Sequence, residues 1–525
     1  MTILAACAPV PSALNSAHLP DLATDSQGLH WRGVLAAVDL GSNSFRLELA
    51  QIREGRYQRI AYLKEMVRLG GGLDARGRLT PLATQRGLAC LARFRQRLGG
   101  LPAMQLRAVA TQTLREAGNR DEFLARAAEA LGYPIEVISG REEARLIYAG
   151  VSRIEPAAHP RLVIDIGGRS TEIILGRNLK PQLAESFQIG SVSLSERYFA
   201  DGRCTEHRFR QAQINAEAVL EESVQAFRQE RWDEALGSSG TASAVSQILL
   251  QSGRGDGAIT QDGLRWLRKQ CVAADALQSL ELPGLLAERR AVLPGGLAIL
   301  GAVMNEFGID EIRPTRAALR QGVIFDLHQR IQVRREKDGH SWQDETVGDL
   351  QRRFQCDRAH ASRVQQLAQH LFGQIAPDAS AVLQQELVWA ARLHEIGMSI
   401  SHHDHHRHSA YLLAHIDAPG FSQSQQRRLA DLVLGQRGGL RKVEAVLGDA
   451  GRAAQILALR LAVLFCHARN ELGAFRPGLV CQQDTVVLRL DRAWAAEYPR
   501  SMHLLREEVA NWSRASHLTL ELQER

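Results

Sequence analysis

No apolar run in this 525-residue chain approaches the ~20 residues needed to cross a bilayer, so no transmembrane helix is expected. Aromatic residues are scarce, 5% against 45% hydrophobic residues overall, the balance of an ordinary soluble protein. The seven cysteines, Cys7, Cys90, Cys204, Cys271, Cys356, Cys466 and Cys481, are odd in number, scattered, and never spaced C-x-x-C. That argues against structural zinc and for a reducing compartment. Neither sign of charge dominates: 64 basic against 58 acidic residues leave +6, too small an excess to mark a nucleic-acid binder. Such a surface suits a polyanionic ligand without demanding one. Leu4-Ala5-Ala6-Cys7 has the look of a lipoprotein cleavage box, but no basic residue precedes it and its apolar stretch is shorter than the ~7 residues of a signal core. The expectation is a disordered tail over residues 1–32 and a cytoplasmic protein, with room for peripheral membrane association but not for a span.

One phrase is present twice. Val38-Asp39-Leu40-Gly41-Ser42-Asn43-Ser44-Phe45-Arg46 and Ile164-Asp165-Ile166-Gly167-Gly168-Arg169-Ser170-Thr171-Glu172 both read as strand, Asp, glycine and hydroxyl turn, second strand. Glycines let backbone N–H groups approach an anion, Ser and Thr add donors, and an Asp at the strand end can reach a cation or a water. A plain turn uses the same residues, but two copies in one strand frame, plus a third turn at Ser238-Ser239-Gly240-Thr241, favour phosphate. Two related halves facing each other across a cleft are expected.

The length requires two to four domains. Strand and helix patterns alternate from Val34, with helices expected over 81–98, 121–131, 206–229 and 242–251, the signature of an α/β layer structure. From Gln329 onward helical periodicity dominates, the charged stretch 330–338 reads as a linker, and Thr485 to Leu490 is one late strand. The expected boundaries are 33–147 and 148–327 for the two α/β halves, 328–490 for a helical domain and 491–525 for a small C-terminal segment.

In Ser139-Gly140-Arg141-Glu142-Glu143, the spacing of Ser139 and Glu142 is a capping box, which assigns Glu142 to the helix start. Glu143 is left on the face of Leu146 and Ile147, where a carboxylate needs a metal, a cation or a water. Arg145 or another nearby arginine is the bland partner. Arg115, Arg46 and Arg289 are the arginines that could meet phosphate, although on position alone a solvated arginine is the favoured reading of each. His360, His394 and Glu395, with the run His402-His403-Asp404-His405-His406-Arg407-His408, suggest a helical metal site. The late helix Leu459-Arg460-Leu461-Ala462-Val463 has no acid at the expected place, so a scaffold that has lost its metal is expected, with weak positive charge toward a polyanion as the histidines' alternative use.

Together these phrases resemble the exopolyphosphatase / guanosine pentaphosphate phosphohydrolase family, within the fold superfamily of actin, sugar kinases and heat-shock chaperones. The resemblance runs from about Leu35 to the region of Gln436. It implies two ribonuclease-H-like (actin-like) α/β domains flanking a cleft, and an all-α degenerate HD-type C-terminal domain carried by Leu393-His394-Glu395-Ile396-Gly397. It implies that Glu143 is the catalytic carboxylate, helped by Arg115. Phosphate would be held by Gly41, Ser42, Asn43, Ser44, by Gly167, Gly168, Arg169, Ser170, Thr171, by Gly240 and Thr241, and by Arg289. Mg²⁺ or another divalent cation would be held by Asp165, Asp39 and Glu143. Arg169 departs from the family's Gly-Gly-Gly-Ser: it strains the turn if φ is positive there, and otherwise adds a cation beside the phosphates.

The implied reaction is processive hydrolysis of terminal phosphate from inorganic polyphosphate, with the 5′ γ-phosphate of guanosine pentaphosphate (pppGpp) as the alternative substrate. A phosphate-ligand sensor in which Arg169 has disabled turnover is the reading of another class. No nucleic-acid partner is implied, and a homodimer is.

Overall fold

A computed structural model describes residues 33–274, 276–335, 341–469, 477–482, 484–514 and 518–524. The tail expected over 1–32 lies outside them. Two sheets share one strand pattern. The first has the order β3-β2-β1-β4-β5, from β1 Val34–Leu40, β2 Phe45–Arg53, β3 Arg56–Glu65, β4 Leu106–Ala110 and β5 Ile135–Val137. The second has the order β10-β11-β9-β6-β7-β8, from β6 Arg161–Ile166, β7 Thr171–Arg177, β8 Lys180–Phe187, β9 Glu234–Ser238, β10 Ile259–Thr260 and β11 Glu311–Pro314. In both, the first three strands form an antiparallel meander and the first strand pairs in parallel with the fourth. The doubled phrase is the first hairpin of each sheet.

Both faces of each sheet are covered, which is why β1 and β6 are buried along their whole length. Along β1, Val34, Ala36 and Val38 face one core while Leu35 and Ala37 face another. The outer layer of the first sheet includes the helix Pro81–Leu98, started by Thr80 accepting from the Ala83 amide and by Pro81 at its first turn. Its Ala83, Cys90, Leu91, Phe94 and Leu98 recur at helical spacing and are buried.

The inner faces of both sheets share one core with two helices, Gly140–Ile154 and Leu319–Arg335. These helices cross with almost no gap. A Cβ on Gly322 would stand 1.7 Å from the Leu146 carbonyl oxygen, and one on Gly150 would stand 2.7 Å from that of Ala318. Only glycine permits this approach. The helix Leu319–Arg335 covers the first part of the stretch expected as a linker at 330–338, and residues 336–338 lie outside the described residues. Likewise the helix Gly140–Ile154 runs without a break across the boundary expected at 147/148.

Beyond residue 341 the chain is helical, with its own core from Val347 to Leu520. Near the end, β12 Gly478–Gln482, β13 Thr485–Leu490 and β14 Thr519–Glu524 form a small sheet. The helical region touches the α/β part directly: the Gly420 amide donates to Glu142 at 2.7 Å, and Arg120 reaches Gln423 at 3.3 Å. Among the described residues no helix is long and apolar enough to cross a membrane.

Candidate active site

The two four-residue turns, 41–44 and 167–170, meet at one cleft. Gly41, Ser42, Asn43 and Ser44 line it from the first hairpin, and Gly167, Gly168 and Ser170 from the second. Gly240 and Thr241 line it as well, but the helix they belong to begins at Ser239, not at Ala242 as expected. Gly240 therefore offers the amide of a first helical turn, where the dipole favours an anion, while the Thr241 amide donates to Ser239 Oγ at 3.3 Å. Ser239 holds φ +96 at this entry, with its hydroxyl donating to the Ile166 carbonyl at 3.1 Å. Arg289 also lines the cleft, its guanidinium lying so close over Gly240 that a Cβ there would stand 2.1 Å from Nη2.

Glu143 enters from the first turn of the helix Gly140–Ile154. It pairs with Arg115, not Arg145: Arg115 Nη1 donates to its Oε2 at 2.7 Å. Arg115 is itself fixed by donating to Gln112 Oε1 at 2.8 Å and to the Ile138 carbonyl at 3.0 Å. Burial pushes the Glu143 carboxyl up to about 7 against the pull of Arg115, with Asp39 and Asp165 adding repulsion.

The loop aspartates face unlike partners. In register, Asp39 stands opposite Arg46 and Asp165 opposite Glu172. Arg46 Nη1 lies 3.4 Å from Asp39 Oδ2, so the first hairpin is neutralised. In the second hairpin burial raises Asp165, although Ser238 Oγ donates to it at 2.8 Å. Burial also lifts Glu172 well above the usual carboxylate range, with Glu143 and Asp165 repelling it further. Three buried acids, Glu143, Asp165 and Glu172, thus collect on one side of the cleft, with burial opposing their ionisation.

Glu142 is not the capping residue it was expected to be. Ser139 does cap the helix, accepting from the Glu142 amide at 3.2 Å, but the Glu142 side chain is wholly buried and bonded to Arg145 at 2.7 and 2.8 Å. Arg145 and Arg107 both reach Asp326, at 2.6 and 2.7 Å. Burial alone would raise the Glu142 carboxyl, yet these arginines hold it below its ordinary value.

Residues 49–331 match the Ppx/GppA phosphatase family, and residues 343–509 match domain III of the Ppx/GppA phosphatases. The chain belongs to this family. It is a phosphoric anhydride hydrolase by that membership. A guanosine-5'-triphosphate,3'-diphosphate pyrophosphatase of Vibrio cholerae is 38% identical over 88% of this chain and 93% of its own. One of the same name from Aeromonas hydrophila is 38% identical over 92% of this chain and 97% of its own. The crystal structure of an exopolyphosphatase from Cytophaga hutchinsonii is similar at a TM-score of 0.51 and 25% identity, covering 56% of this chain and 97% of that one.

Two expected phosphate contacts, Arg169 and Thr171, fall elsewhere, while the three acids expected to hold a cation all line the cleft. Arg169 has no positive φ and does not line the cleft; it bonds Glu116 at 2.9 Å and the Gly70 carbonyl at 3.3 Å. Both of its anticipated effects, turn strain and a cation on the phosphates, therefore fail, and with them the basis for a disabled enzyme. Thr171 is the first residue of β7, fully buried, and donates its hydroxyl to the Ile189 carbonyl at 2.7 Å. Asp39, Glu143 and Asp165 do not form a converging three-donor group; among the described residues that geometry belongs to His360, His394 and Glu395. Sequence reasoning missed Arg320, which approaches Asp39 at 3.8 Å and Glu48 at 3.1 Å from 272 residues away. It also missed Thr111 and Ser191 on the cleft wall. No local pattern marks any of the three.

In the helical region, burial drives His406 down to about 4 and lowers His405, so these two remain neutral and add no charge toward a polyanion.

Proposed function

We propose that this phosphatase removes the 5′ γ-phosphate of guanosine pentaphosphate, and that inorganic polyphosphate is a second substrate of the same cleft. The position of Glu143 carries the reading: a buried carboxylate with its carboxyl near 7, facing two glycine and hydroxyl turns and a helix start. A base with that value is ionised in a large fraction at neutral pH. It would take a proton from a water whose oxygen forms the new bond to the terminal phosphorus as the bridging P–O bond breaks. Amides of 41–44 and 168–170, with that of Gly240, would hold the phosphoryl oxygens, while Arg46 and Arg289 on the cleft lining would offset charge in the transition state and Arg115 would hold Glu143 in place.

Oxygen-only donors suit a hard cation such as Mg²⁺, and the excess of buried carboxylate at Asp165 and Glu172 fits one. Because the acids do not converge as a complete cage, Asp165 and Asp39 would hold the ion jointly with substrate oxygens, as is usual for magnesium. When bound it would supply positive charge to the phosphoryl oxygens.

We further read the two like-patterned sheets as ribonuclease-H-like (actin-like) halves closing on the cleft, the helical region as HD-type, and the protein as a cytoplasmic homodimer. The full-length relatives named for the guanosine substrate include the helical region, whereas the exopolyphosphatase structure covers 56% of this chain. That coverage favours the guanosine nucleotide over polyphosphate, which the sequence ranked first. Phosphate release from the two substrates measured side by side tests the order: a higher kcat/KM for guanosine pentaphosphate is expected, and a higher value for polyphosphate reverses it.

A further inference from the structure

Arg169 lies between Gly168 and Ser170, which line the cleft, yet its own side chain stays outside and crosses from the second α/β half to the first. Its Nε donates to Glu116 Oε2 at 2.9 Å and its Nη1 to the Gly70 carbonyl at 3.3 Å. Glu196, from its own half, stands 3.8 Å from Nη1. The crossing is closely packed: a Cβ on Gly70 would stand 2.8 Å from Arg169 Cδ, so a side chain at that position would displace the arginine. Gly70 also donates its amide to the Ser42 carbonyl at 2.8 Å. Arg169 therefore ties the second phosphate-type turn to the loop that holds the first.

From Glu116 an unbroken series of hydrogen bonds runs to Glu143. Gln112 Nε2 donates to Glu116 Oε1 at 2.6 Å, Arg115 Nε donates to Gln112 Oε1 at 2.8 Å, and Arg115 Nη1 donates to Glu143 Oε2 at 2.7 Å. Its direction is fixed by chemistry. A carboxylate only accepts and a guanidinium only donates, so Gln112 must turn its NH₂ to Glu116 and its oxygen to Arg115. The flipped amide would set donor against donor at Arg115 and acceptor against acceptor at Glu116. Gln112 is buried, so water has little access to repair such a mismatch.

The Arg169–Glu116 pair is partly solvated, with side chains 20% and 28% exposed, and such pairs add little to stability. Its consequence is geometric. Without the arginine, Glu116 can turn to solvent, and Gln112 loses the acceptor that fixes its amide. Arg115 then keeps its bond to the Ile138 carbonyl but not a fixed Gln112 oxygen. Small displacements matter for a base, since a misplacement of about 1 Å lowers a rate on the order of 10²-fold.

We infer that Arg169 is a positioning residue for the hydrolysis: it clamps the two phosphate-type turns together and, through Glu116, Gln112 and Arg115, holds Glu143 toward the attacking water. This role rests on Glu143 being the base. Because the backbone of Arg169 belongs to the turn whose amides would meet the phosphoryl oxygens, substrate and base are set by one continuous linkage. A glycine at 169 would have no side chain with which to make it. Glu116 and Gln112, neither of which lines the cleft, become parts of the same device.

The test follows single-turnover phosphate release, KM and Tm of the full chain with Mg²⁺, on guanosine pentaphosphate and on polyphosphate. Arg169→Ala and, independently, Glu116→Ala should each lower the single-turnover rate about tenfold, a part of the ~10²–10⁴ that a positioned base supplies. KM should stay within about twofold and Tm nearly unchanged, as for a weak, partly solvated pair. The double variant should be no slower than either single one, and Arg169→Ala should add nothing in an Arg115→Ala background, because all three cut one linkage. An unchanged rate in Arg169→Ala, additive losses in the double variant, or a loss confined to KM overturns the positioning role while leaving Glu143 as the base. Full activity in Glu143→Ala overturns the reading on which that role rests.

Discussion

Arg115 Nη1 donates to Glu143 Oε2 at 2.7 Å, yet its Nη2 is buried with no partner among the described residues. The guanidinium thus orients the proposed base with one nitrogen without lining the cleft itself. Loss of Glu143 in Glu143→Ala should lower the rate of phosphate release by ~10²–10⁴ with the fold intact, and Arg115→Ala by ~10²–10³. Single-turnover rates and circular dichroism on the same samples check both, and a fully active Glu143→Ala protein would sink the assignment.

Because Glu143 titrates near 7, kcat/KM should rise with pH up to about that point and level off above it. A bound cation favours the ionised form and shifts the inflection downward. Stability moves the other way. The folded-state carboxyl is raised above its unfolded value of 4.5. Its contribution is therefore full below the unfolded value and lost as pH rises through the folded one. Glu143→Gln, which mimics the protonated acid, should match the parent in Tm at about pH 4.5 and exceed it at about pH 8 in metal-free buffer. A Tm difference that does not grow with pH contradicts the burial-driven shift.

Glu142 is the acid whose loss should cost stability. In Glu142→Ala, Arg145 and Arg107 lose a fully buried counter-charge and the Gly420 amide its acceptor. Breaking such a pair destabilises by about 3–5 kcal/mol. Urea unfolding measures it, and a change under about 1 kcal/mol, the scale of exposed pairs, would mean the network is solvated.

Two glycine substitutions should have opposite signs. Gly322→Ala drives a methyl into the Leu146 carbonyl and forces the Glu143 helix away, costing about 3 kcal/mol or more together with activity. Gly373→Ala, in the helix Arg358–Ile375 with nothing within 4 Å of its Cβ, should stabilise by about 0.5–1 kcal/mol. Parallel thermal melts decide both.

Arg169→Ala should change KM less than Arg289→Ala does. Arg169 is held by Glu116 outside the cleft lining, whereas Arg289 lines it. A charged hydrogen bond worth about 1.5–3 kcal/mol corresponds to a KM rise of about tenfold or more for Arg289→Ala. Equal effects would return Arg169 to the substrate.

What was legible in the sequence depended on near neighbours along the chain. The two hairpins, the helix Pro81–Leu98 and the Ser139 cap are set by turn residues, apolar spacing and a side chain three positions from its partner. Glu143 could be singled out because helix periodicity put it among apolar side chains. Its partner could not, since Arg145 was nearer in sequence while Arg115 was nearer in space. Glu142 shows the same limit: the local rule made it a cap, but Arg107 and Asp326, 35 and 219 residues apart from Glu142 and Arg107 respectively, drew it into the core.

The sequence by itself determined that two phosphate-type turns and one misplaced acid exist. Only the tertiary structure decided which charges meet. Pairing Arg115 with Glu143, turning Arg169 outward and converging His360 with His394 all depend on how separate elements pack. Turns and periodicity follow from local backbone and side-chain sterics, whereas electrostatic partners follow from distances that the chain order does not encode.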